Sequence, residues 1–121
     1  MKEDEIVNAR FSLDAVTVSQ ILSDDYTVRI LSGCYKKPSS ARELSHEMNI
    51  PIAATYRRLQ ELERLGLVCV KEKRLTMAGK RVRYYYSPVK RIDITFRDGV
   101  LTSQLEMTEF PVHIRSDFRL V

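Results

Sequence analysis

The sequence predicts an α+β fold in which helices come first and two β-hairpins follow. Three observations predict it. Apolar residues recur at helical spacing from about Leu13 to Leu65, with helix-end signals inside that span. After Gly66 the pattern changes to alternation, first at Val68 and Val70 and then at Val82, Tyr84 and Tyr86. A second alternating stretch, Arg91 to Met107, is broken by Asp98-Gly99, the pair favoured in a two-residue type I′ turn.

Residues 1–12 are charged and weakly patterned, with Phe11 as the only large anchor, and read as an N-terminal arm. Val18, Ile21 and Leu22, then Tyr26, Ile30, Leu31 and Cys34, follow helical spacing and are interrupted by Ser23-Asp24-Asp25. Asp24 suits a helix cap, so the pattern predicts a short helix, a corner, and a second helix ending near Gly33. Lys36-Lys37-Pro38 make the next loop. Ser40 followed by Glu43 has the form of a capping box and starts another helix, with Leu44 and Met48 as its apolar stripe. Asn49-Ile50-Pro51 halts that helix and presets the next.

At about 100° per residue, the helix from Ile52 to Leu65 places Thr55, Leu59 and Leu62 on one face, flanked by Ile52, Arg58 and Leu65. Ala53, Tyr56, Arg57 and Gln60 fall on the other. A small residue, an aromatic, an arginine and an amide near a helix N-terminus are the side chains a recognition helix presents to base edges. Arg57 suits a guanine or a phosphate, and Tyr56 a thymine methyl or a phosphate. Ile52 and Ala53 suit apolar base contacts, and Arg58, nearer the core, suits a phosphate or an intradomain carboxylate.

The run from Leu44 to Val68 resembles the helix-turn-helix of winged-helix transcription regulators of the ArsR-like and MarR-like kind. The matching residues are Leu44, Met48, Ile50, Tyr56-Arg57-Arg58-Leu59, Leu62 and Gly66-Leu67-Val68, without a gap. The likeness extends upstream through Ile21-Leu22-Ser23-Asp24 and Arg29-Ile30-Leu31, and downstream to Tyr85-Tyr86-Ser87, covering roughly residues 17 to 90. It implies a winged helix-turn-helix of three to four helices plus a β-hairpin wing, in a homodimer that binds double-stranded DNA and regulates transcription.

In that reading the wing is the hairpin after Gly66, with a basic loop from Lys73 to Arg81 that contains Gly79. From Lys71 to Arg91 the basic residues are Lys71, Lys73, Arg74, Lys80, Arg81, Arg83, Lys90 and Arg91, against Glu72 alone. The whole chain is only +4, so the rest of it is net acidic. A basic segment beside a candidate recognition helix is the electrostatic footprint of a nucleic-acid binder. Lys73, Arg74, Lys80, Arg81 and Arg83 are accordingly the candidate backbone or minor-groove contacts.

Arg91 to Met107 forms the second hairpin, with Phe96 opposite Leu101, Ile94 opposite Ser103 and Ile92 opposite Leu105. One face is apolar, while Asp93, Thr95, Arg97, Thr102, Gln104 and Glu106 occupy the other. A two-stranded ribbon is marginal alone, so it packs on the winged domain, on a second copy, or on the tail 109–121, where Phe110, Val112, Ile114 and Phe118 alternate loosely with polar residues. ArsR-like proteins usually close with a helix instead; β-rich extensions resemble those of some archaeal winged-helix regulators. The expected organisation is an arm at 1–12, a DNA-binding domain at 13–90, and a dimerisation element at 91–121.

At 121 residues, 44% hydrophobic and 30% charged, the chain has the composition of a soluble globular protein. It has no run of about 18 apolar residues and no signal-peptide core, which points to a cytoplasmic protein without a membrane partner. Cys34 and Cys69 lie outside metal-ligand spacing and read as reduced thiols. The Cys-x-Cys box of metal-sensing relatives falls on Ser40 and Arg42, which are not soft ligands, and His46 and His113 are single histidines, so neither a metal nor a cofactor is expected. No phosphate loop, HExxH or GxSxG is present, and an enzyme is not expected. Alternative readings are a winged-helix module for protein interaction or RNA binding, and a sensor whose second hairpin holds a small-molecule effector or whose Cys34 responds to oxidation.

Overall fold

The computed structural model describes residues 14–108. The arm 1–12 with Phe11, the tail with Phe110, Val112, Ile114 and Phe118, and His113 lie outside the described residues. Four helices, α1 (Ala15–Leu22), α2 (Asp25–Lys36), α3 (Ala41–Met48) and α4 (Ile52–Arg64), precede four strands, β1 (Cys69–Leu75), β2 (Arg81–Tyr86), β3 (Val89–Arg97) and β4 (Val100–Met107). The strands pair as two antiparallel hairpins, β1–β2 and β3–β4. The fold is α+β, a winged helix-turn-helix followed by a C-terminal hairpin. Two compact units divide the chain, one from Asp24 to Ser87 and one that combines α1 with the segment from Pro88 onward.

In the unit Asp24–Ser87, local chemistry sets the helix ends. The Ser40 hydroxyl accepts from the Glu43 N–H and the Glu43 carboxylate accepts from the Ser40 N–H, both at 3.1 Å, which completes the capping box of α3. Asn49 ends α3 in the left-handed region, at φ 57°, and Pro51 stands at the N-cap of α4, one position ahead of the first turn. At the far end of α4, Gly66 takes φ 82°, Leu67 N–H donates to the Leu62 carbonyl (2.9 Å) and Gly66 N–H to that of Glu63 (3.0 Å). This Schellman closure brings Leu67 onto Leu62, each 1% exposed. The core joins Ile30, Leu31 and Cys34 of α2, Leu44 of α3, Leu59 and Leu62 of α4, and Leu67, Val68 and Tyr85. Each fully buried leucine or isoleucine is worth on the order of 1.5–3 kcal/mol relative to exposure.

Helix α2 runs past Gly33 to Lys36. Gly33 therefore does not end the helix, as expected from sequence, but serves close packing. A Cβ there would stand 2.8 Å from Leu44 Cδ2 and 2.9 Å from Met48 Cε, so the missing side chain lets α3 approach α2.

The hairpin β1–β2 is longer than the alternation suggested. Lys73 and Arg74 lie in β1, not in a loop, and the tip is only residues 76–80. A register shift between Val70 and Glu72 sets Val70 opposite Tyr85 and Glu72 opposite Tyr84. Tyr85 is thus the buried tyrosine, while Val82, Tyr84 and Tyr86 are half-buried. Its main chain exchanges hydrogen bonds with Ser39 (2.9 and 2.8 Å), a one-residue bridge along the other edge of β2.

In the other unit, β3 begins at Val89, two residues earlier than expected. Asp98 and Gly99 both take positive φ (53° and 78°), the signature of the type I′ turn, and the pairs Phe96–Leu101, Ile94–Ser103 and Ile92–Leu105 form in the expected register. Helix α1, assigned from sequence to the segment 13–90, packs against β4. Val18, Leu105 and Met107 are buried, but the same hairpin face opens toward its turn, where Phe96 is 73% exposed. Among the described residues, no helix is long and apolar enough to cross a membrane.

Candidate nucleic-acid interface

Helix α4 presents two chemically distinct faces. Thr55, Leu59 and Leu62 are sunk in the core, and the Thr55 hydroxyl is satisfied by the Pro51 carbonyl at 3.0 Å. Ala53, Tyr56, Arg57 and Gln60 are all exposed, and Ile52 joins them at the first turn. The structure therefore brings these five candidates together on one outward surface. Arg58 is elsewhere. Its guanidinium binds Asp24 through two nitrogens, Nε at 2.7 Å and Nη2 at 3.2 Å, and lies over the Tyr26 ring. Of the two roles open to Arg58 in the sequence, it occupies the intradomain carboxylate.

That pair fixes how α4 sits on α2. Arg58, together with the Thr27 hydroxyl at 2.6 Å, holds the Asp24 carboxyl at about 2, from an ordinary 3.8. Arg29 secures the turn from the other side. It donates to the Met48 carbonyl at 2.9 Å while ion-paired with Asp25, so the last carbonyl groups of α3 are tied to α2. The exposed face of α4 is presented on a braced scaffold.

The second cluster is the hairpin β1–β2. Lys73, Arg74, Lys80, Arg81 and Arg83 are all exposed. Arg74 is paired with Glu72 and stacks on Tyr84, 4.2 Å from the ring centroid. Among the described residues, the other four have no carboxylate partner, and Lys73 stands directly opposite Arg83. Like charges facing each other across a ladder oppose folding, so they stabilise nothing within the chain and suit an external anion.

The sequence reading missed a third group. A shallow cleft beside the turn is lined by Tyr26, Arg42, Ser45, His46, Asn49 and Ile52. Arg42 and His46, four residues apart and both exposed, lie on one face of α3. Their i, i+4 spacing was a visible signal, since the first helix of such a motif crosses the DNA backbone. Among the described residues, no three His, Cys, Asp or Glu side chains are grouped to hold a metal ion. Burial pushes the Cys34 thiol up to about 12 and that of Cys69 up to about 11, far from a reactive thiolate.

Residues 31–91 match the family model described as sugar-specific transcriptional regulator TrmB. No curated protein matches the chain. The match spans α3, the turn, α4 and the whole β1–β2 hairpin, together with the second half of α2. The ArsR-like motif resemblance is carried by the same residues, whereas the matched family model is a different one. It describes DNA-binding regulators of transcription, not enzymes. The chain belongs to the TrmB family of transcriptional regulators.

Proposed function

We propose that this regulator reads duplex DNA with α4 in the major groove and grips the adjacent backbone or minor groove with the wing β1–β2, as a cytoplasmic homodimer. The observation that carries the reading is the outward set Ala53, Tyr56, Arg57 and Gln60, followed in the chain by a hairpin in which Lys73, Lys80, Arg81 and Arg83 have no carboxylate partner among the described residues. Arg57 donates to a guanine edge or a phosphate, Gln60 offers an amide to an adenine, and Tyr56, Ile52 and Ala53 supply apolar contact. Lys73, Lys80, Arg81 and Arg83 displace counterions from phosphates, with Arg74 beside them, and Arg42 and His46 add backbone contact. Arg58 acts from behind, holding α4 on Asp24.

The dimer forms through the C-terminal element 91–121, where the outer half of an apolar sheet face stands open at Ile94, Phe96 and Leu101. A two-fold pairing of that face buries it against itself, and two copies then read an inverted repeat with half-sites about one helical turn apart. Fluorescence anisotropy of a labelled duplex from upstream of the protein's own gene, against a scrambled duplex and across a salt series, tests the reading. Preference for the native duplex supports it; equal, weak binding to both removes sequence reading. Arg57→Ala is expected to cost about 1–3 kcal/mol on the native duplex and little on the scrambled one.

A further inference from the structure

Met77, at the tip of the wing, is as exposed as a side chain can be, at 107%, and Leu75 two residues earlier is 70% exposed. The turn does not need either. Thr76 N–H donates to the Lys80 carbonyl (2.7 Å), Gly79 N–H to the Thr76 carbonyl (2.9 Å) and Lys80 N–H to the Thr76 hydroxyl (3.1 Å), with Gly79 supplying φ 81°. Those bonds close the tip whatever stands at position 77. Nor does the core use these side chains. What surrounds them is charge: Lys73, Arg74, Lys80, Arg81 and Arg83, with Glu72 the only acid in the hairpin.

An apolar point set among cations fits a partner that is anionic at its rim and apolar within. A DNA minor groove has that form at an opened base step, with phosphates along both walls and the parted base faces between them. Resting on the DNA-binding reading above, we propose that Met77, backed by Leu75, is a wedge that enters the minor groove and partly unstacks one base step, bending the duplex while Lys80 and Arg81 hold the flanking phosphates. Flexible pyrimidine–purine steps are its preferred points of entry, so the wing contributes sequence preference without base hydrogen bonds.

The test uses the full chain and the upstream duplex carrying a dye at each end, with 2-aminopurine placed in turn at its pyrimidine–purine steps. Wild type is expected to raise energy transfer between the ends and to brighten 2-aminopurine at one step per half-site. Met77→Ser is expected to lose both signals and to bind about tenfold more weakly, with an unchanged salt slope because no phosphate contact is removed. Met77→Leu is expected to restore the bend. Circular dichroism of the variants controls for folding. A Met77→Ser protein that bends and brightens the duplex like wild type overturns the wedge and leaves the DNA reading standing. Wild type that fails to bind the duplex at all overturns that reading and the wedge with it. Binding to phosphatidylglycerol vesicles in preference to the duplex, lost in Met77→Ser, overturns the wedge in favour of a lipid surface.

Discussion

Hairpins β1–β2 and β3–β4 are both antiparallel, and each absorbs one register shift near its root, between Val70 and Glu72 in the first and between Val89 and Arg91 in the second. Their side chains diverge. The first sets Lys71, Lys73, Arg74, Lys80, Arg81 and Arg83 against Glu72 alone; the second balances Lys90, Arg91 and Arg97 with Asp93, Asp98 and Glu106. The second also pairs its charges locally, Arg91 with Asp93 at 3.0 Å and Lys90 with Glu106 at 3.8 Å. Its turn is polar and minimal, while the tip of the first is apolar and broad. One backbone device thus carries two surfaces: a hairpin with a large excess of positive charge, and a charge-balanced one with an apolar face.

The largest effect that separates them is on stability. Leu105→Ala, at the buried root of β4, is expected to cost about 2–5 kcal/mol in urea unfolding, whereas Leu75→Ala at the wing tip stays within about 0.5 kcal/mol. Comparable losses would mean that the tip is packed and the contrast is false. Next comes salt dependence. Lys80→Ala with Arg81→Ala is expected to lower the slope of log K against log salt by about two, while Lys90→Ala with Arg91→Ala leaves it unchanged. Equal slopes would break the division of labour. Self-association is more modest. Phe96→Ser is expected to weaken the dimer about tenfold in sedimentation equilibrium, and no change would move the interface off this face.

The smallest effect serves as a control outside both hairpins. Asp24 titrates at about 2 in the folded chain and near 3.8 otherwise, so its pairing with Arg58 adds stability above pH 4 that is lost as pH falls towards 2. The pair is about a third exposed and water-screened, so Asp24→Asn is expected to cost about 1 kcal/mol or less at neutral pH. The cost should shrink to nothing near pH 2. A cost independent of pH would assign Asp24 a packing role instead.

The helices and the second hairpin were legible because their signals are local. A capping box, a helix-stopping Asn-x-Pro and an Asp-Gly turn each act within a few residues, and each fixed an element where it was expected. What escaped was set by distant partners. Gly33 looks like a terminator until Leu44 and Met48 are seen against it. Tyr85 belongs to an apolar triplet of tyrosines, and only the β1 register shift and the Ser39 bridge select it for burial. Arg58 had two plausible fates, and the choice rests on Asp24, 34 residues away. Arg42 and His46 carried a readable spacing but no apolar stripe to draw attention to them.

Cys34, fully buried where α2 meets the root of the wing, accepts the Ser87 N–H at its carbonyl oxygen (3.3 Å), while Cys69, half-buried, rests its sulfur against the Tyr86 carbonyl at 3.6 Å. The two thiols together make a built-in clock. A small alkylating reagent reaches half-buried Cys69, slowly because its thiol is held up to about 11, before it reaches fully buried Cys34. The lag between the two therefore records how often the packing around Cys34 opens, whether α2 moves alone or the whole unit unfolds.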